Sequence, residues 1–265
     1  MYSETSIFTT GVSRRDFLQR ASVTALAVSA LPEHMLGEGI GNEEAGTMSL
    51  WDLAQKSRDI LTLTVWFTAQ DVNKFLSNAE GMENAIGWCR QNGVTKIRLE
   101  AFGRGLYADR QALLGAKARF LSEGFAVQGG ALTTKFGKNG FGDDWNAQCY
   151  TNKTTQEELQ RIFEYAASMF DDIIIDDWYF TQCQCAECIA ACGEQAWSKY
   201  YRDLMVEMSR DRIMKPAHAI NPNVKVIIKF HSGTTNFTGA GTTWRASRRF
   251  SMESGWERNR GTLNT

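Results

Sequence analysis

From about residue 58 the chain alternates between two textures of apolar and polar positions. "ILTLTVWF" (60–67) is β-branched and aromatic, the pattern of a buried strand. "GMENAIGWCRQNG" (81–93) sets Met82, Ala85, Ile86 and Cys89 on one helical face and stops at Asn-Gly. "VTKIRLEAF" (94–102) returns to strand. "DRQALLGAKARFLSEG" (109–124) predicts a helix opened by an Asp cap and closed by Gly. "FAVQGGALTT" (125–134) is a strand whose paired glycines suit crowded backbones. After the long loop "KFGKNGFGDDWNAQC", the stretch 154–170 predicts a helix with a capping-box start and an apolar face at Leu159, Ile162, Phe163 and Ala166. "DIIID" follows as strand, then a cysteine-rich loop, a helix over 194–214 and a last strand, "VKVIIKF" (224–230).

Strands separated by helices of ten to twenty residues indicate βαβ units and a parallel sheet. The sequence holds no G-x-G-x-x-G after the first strand and no G-x-x-x-x-G-K-[ST], so the nucleotide-binding signatures are missing. The expectation is an α/β fold of the (β/α)8 TIM-barrel type, incomplete, with about five βα units over 58–230. A complete barrel takes about 250 residues. From His231 the texture changes: residues 231–265 have no period, no Lys, and abundant Gly, Thr, Ser and Arg. Such a segment cannot bury enough apolar surface to order itself. Two expectations arise for it, a disordered extension or a frameshift near codon 231 that truncated a longer barrel. Degenerate codons can be chosen so that a neighbouring frame restores a strand-like apolar run.

Composition narrows the class. The chain has 265 residues, 43% of them hydrophobic, and a net charge of −1. That is apolar material for one sizeable core. The balance of charge gives no electrostatic footprint for nucleic acid. No apolar run approaches the roughly 20 residues of a stable membrane span. At the N-terminus, Ser13-Arg14-Arg15-Asp16-Phe17-Leu18-Gln19 precedes a mildly apolar stretch and the small-residue site Val28-Ser29-Ala30. This resembles a twin-arginine export signal, with Gln19 where Lys is usual. It implies a signal peptide over 1–30, a linker over 31–57, the twin-arginine translocation machinery as partner, and a periplasmic or extracellular address. Because that route carries folded proteins, cysteines need not become disulfides at an oxidising destination.

Candidate chemistry gathers where strands end, since α/β folds place their sites at the carboxyl ends of parallel strands. "IIIDD" puts Asp176 and Asp177 there. Alternation gives only one of them the face of Ile173 and Ile175, namely Asp177. Walled by Trp178, Tyr179 and Phe180, its charged form is disfavoured, which suits a general acid. Trp178 and Tyr179 could also stack on sugar rings. Glu100, ending "KIRLE", is a further catalytic candidate. Lys229, ending "VIIK", could orient a substrate oxygen or hold a carboxylate. For each taken alone, a salt bridge or a cap is the bland alternative.

Cys183, Cys185 and Cys188 form C-x-C-x2-C, with Cys192 four residues on and Cys149 after the long loop. Close-set thiols suit tetrahedral zinc, whereas the spacing departs from the C-x2-C-x2-C of an iron–sulfur site. Cys149 is the favoured fourth ligand and Cys192 its rival; Cys89 reads as a core thiol.

The run "IIIDDWYFTQCQCAEC" resembles (β/α)-barrel glycoside hydrolases, and its C-x-C-x2-C is similar to the zinc site of the family-42 β-galactosidases. The resemblance implies a barrel, a carbohydrate substrate and a structural zinc on Cys183, Cys185 and Cys188, completed by a cysteine from elsewhere in the barrel. Asp176-Asp177 stands where that clan has Asn-Glu, and no late strand supplying a nucleophile is recognisable. The expected function is an exported glycoside hydrolase-like protein working by carboxylate acid/base catalysis. The alternatives are a catalytically inactive truncated barrel or sugar-binding remnant, and an exported metal or redox protein.

Overall fold

The computed structural model describes residues 48–141, 148–176 and 179–229. The proposed signal peptide and the tail from 231 therefore lie outside the described residues, as do Asp177 and Trp178. The chain divides into two units, Met1–Leu50 and Trp51–Thr265, and the described strands all belong to the second.

Parallel strands β1 (Thr64–Phe67), β2 (Lys96–Gly103), β4 (Ala126–Leu132), β5 (Asp172–Ile175) and β6 (Lys225–Ile228) lie side by side in chain order. A two-residue strand, β3 (Leu106–Tyr107), pairs antiparallel to β2. Helices separate each parallel pair: α2 (Ala69–Asp71), running into a π-turn at Val72–Leu76, and α3 (Ala79–Gln91) after β1; α4 (Arg110–Ser122) after β2; α5 (Lys153–Ala167) after β4. Between β5 and β6 come α6 (Ala186–Cys192), α7 (Trp197–Met208), a second π-turn at Ser209–Met214 and α8 (Lys215–Ile220). A nucleotide-binding sheet reverses its strand order at a switch point. Here the order never reverses, which is the winding of a (β/α) barrel, with five parallel strands of one among the described residues.

The two faces of the sheet differ sharply. Phe67, Ile97, Leu99, Ala101, Ile173, Ile175, Val226 and Ile228 belong to one apolar cluster with Ile86 and Cys89 of α3, Phe120 of α4 and Leu159, Ile162 and Phe163 of α5. Full burial of each large side chain contributes roughly 1.5–3 kcal/mol. Burial pushes the Cys89 thiol up to about 12, as befits a core thiol. By register, the opposite face carries Trp66, Arg98, Glu100, Gln128, Gly130, Asp172, Ile174, Ile227 and Asp176, so the sheet's buried charged and amide groups gather on this side.

Local chemistry sets the boundaries. Asp109 caps α4 through the Ala112 N–H. Helix α5 starts one residue earlier than the capping-box pattern suggests, because Asn152 Oδ1 takes the Thr155 N–H. Helix α2 has no apolar period long enough to read. It is fixed instead by a capping box, in which Thr68 Oγ1 accepts from the Asp71 N–H (3.1 Å) and the Asp71 carboxylate accepts from the Thr68 N–H (2.9 Å). The 31–57 stretch, expected as linker, contains helix α1 (Leu50–Lys56). Its Trp51 packs on Phe125 with ring centroids 4.6 Å apart, and Arg90 lies 5.5 Å from that indole.

The paired glycines of β4 serve two different surfaces. A Cβ on Gly129 would lie 2.6 Å from the Phe170 ring on the helix side, and one on Gly130 would lie 2.7 Å from the Trp66 indole on the polar side. Gly129→Ala is expected to cost about 1–3 kcal/mol through overpacking against Phe170. Gly87→Ala, in helix α3 with open space around it, should stabilise by roughly 0.5–1 kcal/mol. Urea unfolding checks the pair; equal effects of the two substitutions would contradict the packing described.

Candidate active site and metal centre

On the polar face, Glu100 sits at a register break of β2: Glu100 faces Gly130, yet Phe102 already faces Ala131. One extra residue at this bulge turns the strand end, a common device beside active sites. The Glu100 carboxyl folds into the space that a Cβ on Gly103 would occupy. It is 1% exposed. Ala69 N–H donates to its Oε2 at 2.7 Å and Trp66 Nε1–H to its Oε1 at 3.2 Å. Burial dominates and raises its pKa to about 7, the two donors pull it down in part, and the Asp176 charge pushes it up further.

Around it runs a chain of polar contacts. Arg98 Nε donates to Gln128 Oε1 (2.9 Å), and Gln128 Nε2 donates to Asp172 Oδ1 (2.9 Å). Arg98 is drawn below its usual pKa by burial, and the Asp176 and Asp172 charges oppose that shift. Lys229 Nζ donates to Asp176 Oδ1 at 2.9 Å across the β5–β6 end.

These placements follow the acids as far as Asp176. Ile173 and Ile175 face the helices, so the apolar pair does not mark the site. The register that carries Arg98, Glu100 and Gln128 continues through Asp172 to Asp176, and Asp177 lies outside the described residues. Lys229 pairs with Asp176. Tyr179, expected against substrate, is fully buried: its hydroxyl meets Ser209 Oγ at 2.8 Å and its ring packs on Tyr150 and Phe180, so it belongs to the core. Trp66 was missed. Its signal in the sequence is its even spacing from Thr64 and the small Gly130 that makes room for its ring.

The cysteines form a second constellation. The sulfurs of Cys149, Cys183, Cys185 and Cys188 all lie within 4.8 Å of one another. Cys149 is 3.5 Å from both Cys185 and Cys188, which are 3.9 Å apart. A tetrahedral ion with metal–sulfur bonds of about 2.3 Å needs sulfurs about 3.8 Å apart, so the set fits one. Burial pushes Cys188 up to about 11 and Cys149 well above its usual value. At Cys185, burial is outweighed by hydrogen bonds from Cys188 N–H, the Cys149 and Cys183 thiols and Glu187 N–H, which bring it down to about 7. Asn139 Nδ2 donates to Cys183 Sγ (3.3 Å), and Thr151 Oγ1 lies 3.0 Å from Cys188 Sγ. Lys138 pairs with Glu187 at 2.7 Å, joining the loop after β4 to α6. Cys192 stands apart, its thiol donating to Gln195 C=O at 3.3 Å.

A family model described as "Probable glycosyl hydrolase, catalytic domain" matches residues 48–248. Among curated proteins, an uncharacterized protein of Saccharolobus solfataricus, SSO3021, is 27% identical over 192 residues, 63% of this chain and 32% of that protein. The chain thus spans about a third of the length of that relative. Among solved structures, virulence factor SghA from Agrobacterium tumefaciens superposes with a TM-score of 0.34 at 10% identity, covering 69% of this chain and 42% of that one. Its complex with the substrate analog salicin gives 0.33 at 10% identity, covering 71% and 44%.

The raised pKa of Glu100 has a sign that can be measured. Between about pH 4.5 and 7 the folded chain holds a proton that the unfolded chain has lost, so stability falls as pH rises through that window and is flat above it. The full loss is on the order of 3 kcal/mol. Glu100→Gln removes the titration, so urea unfolding at pH 4.5 and pH 8 should show the wild type losing stability relative to the variant. Parallel pH curves would contradict the assignment.

Proposed function

Because the chain belongs to the family of probable glycosyl hydrolase catalytic domains, we propose that it cleaves glycosidic bonds with two carboxyl groups, Glu100 on β2 and Asp176 at the end of β5. Glu100 is the proton donor: its buried carboxyl holds a proton to near-neutral pH and passes it to the departing glycosidic oxygen. Asp176, paired with Lys229, supplies the negative charge that an oxocarbenium-like transition state requires. A water molecule adds its oxygen to the anomeric carbon as the bond to the departing oxygen breaks, and its proton restores the carboxyl of Glu100. Arg98, Gln128 and Asp172 form the hydrogen-bonded base of the site. The observation that carries this reading is a carboxyl tuned by burial to about 7, within the field of a second carboxylate, on the helix-free face of the sheet. The proton-donor role assigned to Asp177 from alternation thereby passes to Glu100.

Release of 4-nitrophenol from a panel of 4-nitrophenyl glycosides tests it. Glu100→Gln and Asp176→Asn are each expected to lower kcat by about 10²–10⁴-fold with far-UV circular dichroism unchanged. Turnover undiminished in both variants, or absent from the wild type across the panel, would overturn the reading. Sugar binding without turnover would favour a carbohydrate-binding role instead.

The four-cysteine cluster is, in this reading, a structural zinc site, since four thiolates and no open position suit that ion. The ion pins the loops after β4 and β5 together. The segment Ser13 to Leu18 supports export of the folded, zinc-loaded chain by the twin-arginine route. Protein purified from the exported fraction should carry one zinc. Cys149→Ser should lose it and melt at lower temperature, while Cys192→Ser should keep it. The opposite ranking of the two serine variants would assign the fourth ligand to Cys192.

A further inference from the structure

Trp66 is out of place as a core residue. It lies on the polar face of the sheet among Arg98, Glu100 and Gln128, partly exposed, while the apolar cluster occupies the other face. Its indole is nonetheless held at both ends. The Nε1–H donates to Glu100 Oε1 at 3.2 Å. The six-membered ring reaches over β2 to β4, where it fills the notch left by Gly130: a Cβ there would lie 2.7 Å from both Cη2 and Cζ2. An indole fixed in this way loses little conformational freedom on contact with a ligand, so it is pre-organised. Its π-face is electron-rich and apolar, and Arg98, Glu100 and Gln128 share its side of the sheet.

We propose that Trp66, seated in the Gly130 notch, is the stacking platform for a pyranose ring of the substrate. One face of a pyranose presents polarised C–H groups, which suit an aromatic face, while its hydroxyls need hydrogen-bonding partners such as Arg98, Gln128 and Asp176 at the rim. The same indole that receives the sugar orients the Glu100 carboxyl, so ring stacking and proton donation share one support. This inference rests on the carbohydrate reading above and adds the residue that positions the sugar. Neither Trp178 nor Tyr179 is needed for it.

The test separates the platform from the catalysis by measuring binding in a background of reduced turnover. Isothermal titration of Asp176→Asn with a panel of methyl glycosides identifies a bound sugar. Adding Trp66→Phe, which keeps an aromatic face and gives up the N–H, should leave Kd within about threefold. Trp66→Ala should weaken binding at least tenfold, and Gly130→Ala, which tips the indole out of its notch, should do the same with the four-cysteine site still loaded with zinc. Unchanged Kd in Trp66→Ala, or loss in Trp66→Phe equal to that in Trp66→Ala, would overturn the platform. So would a panel in which no methyl glycoside binds. Binding that follows this ranking in a protein without turnover would sink the catalytic reading alone, and turnover that persists in Trp66→Ala with unchanged KM would sink the platform alone.

Discussion

A carboxyl group removed from water must either find donors or give up its charge, and Glu100 sits between the two outcomes. Two N–H groups meet its oxygens, one from the backbone at Ala69 and one from the Trp66 indole. They do not fully offset the loss of solvent, so its proton is retained to about pH 7. Holding it there requires several parts of the chain at once. The β2 bulge turns the strand end, Gly103 leaves room for the carboxyl, the capping box of Thr68 and Asp71 fixes the turn that presents the Ala69 N–H, and Gly130 leaves room for the indole. Changing any of these moves the Glu100 carboxyl.

Beyond this group, the loops after two of the strands meet through sulfur. The segment after β4 contributes Cys149, and the segment after β5 contributes Cys183, Cys185 and Cys188. Four thiols this close repel one another when ionised, and the zinc proposed above would remove that repulsion and crosslink segments more than thirty residues apart. The Lys138–Glu187 pair and the Thr151–Tyr200 hydroxyl contact (2.6 Å) brace the same junction from outside. Acids and cysteines share one short stretch because the loop that begins where the acid-bearing strand ends carries three of the four clustered thiols.

Much of the scaffold was legible because parallel strands covered by helices write their period plainly. Strands β1, β2, β4, β5 and β6 and helices α3, α4 and α5 coincide with apolar runs of the expected spacing. The site was harder. Three consecutive isoleucines give no sign of which one faces the helices, and the alternation that singled out Asp177 started from Ile173 and Ile175, which pack against the helices. Tyr179 reads as a rim aromatic by position, yet its hydroxyl finds Ser209, thirty residues on, in a buried contact that no local pattern announces. The π-turns at Val72–Leu76 and Ser209–Met214 leave no periodic trace, and Trp66 gains its meaning only from Gly130, two strands away in the sheet.

Burial, more than any charged partner, sets the protonation of Glu100. Carbon-detected NMR titration of its side-chain carboxyl reads this directly, with Glu100→Gln assigning the resonance. The expected midpoint lies near pH 7 and moves toward the usual glutamate value when Gly103 or Gly130 is enlarged and water reaches the group. A midpoint near 4.5 in the unaltered protein would contradict it.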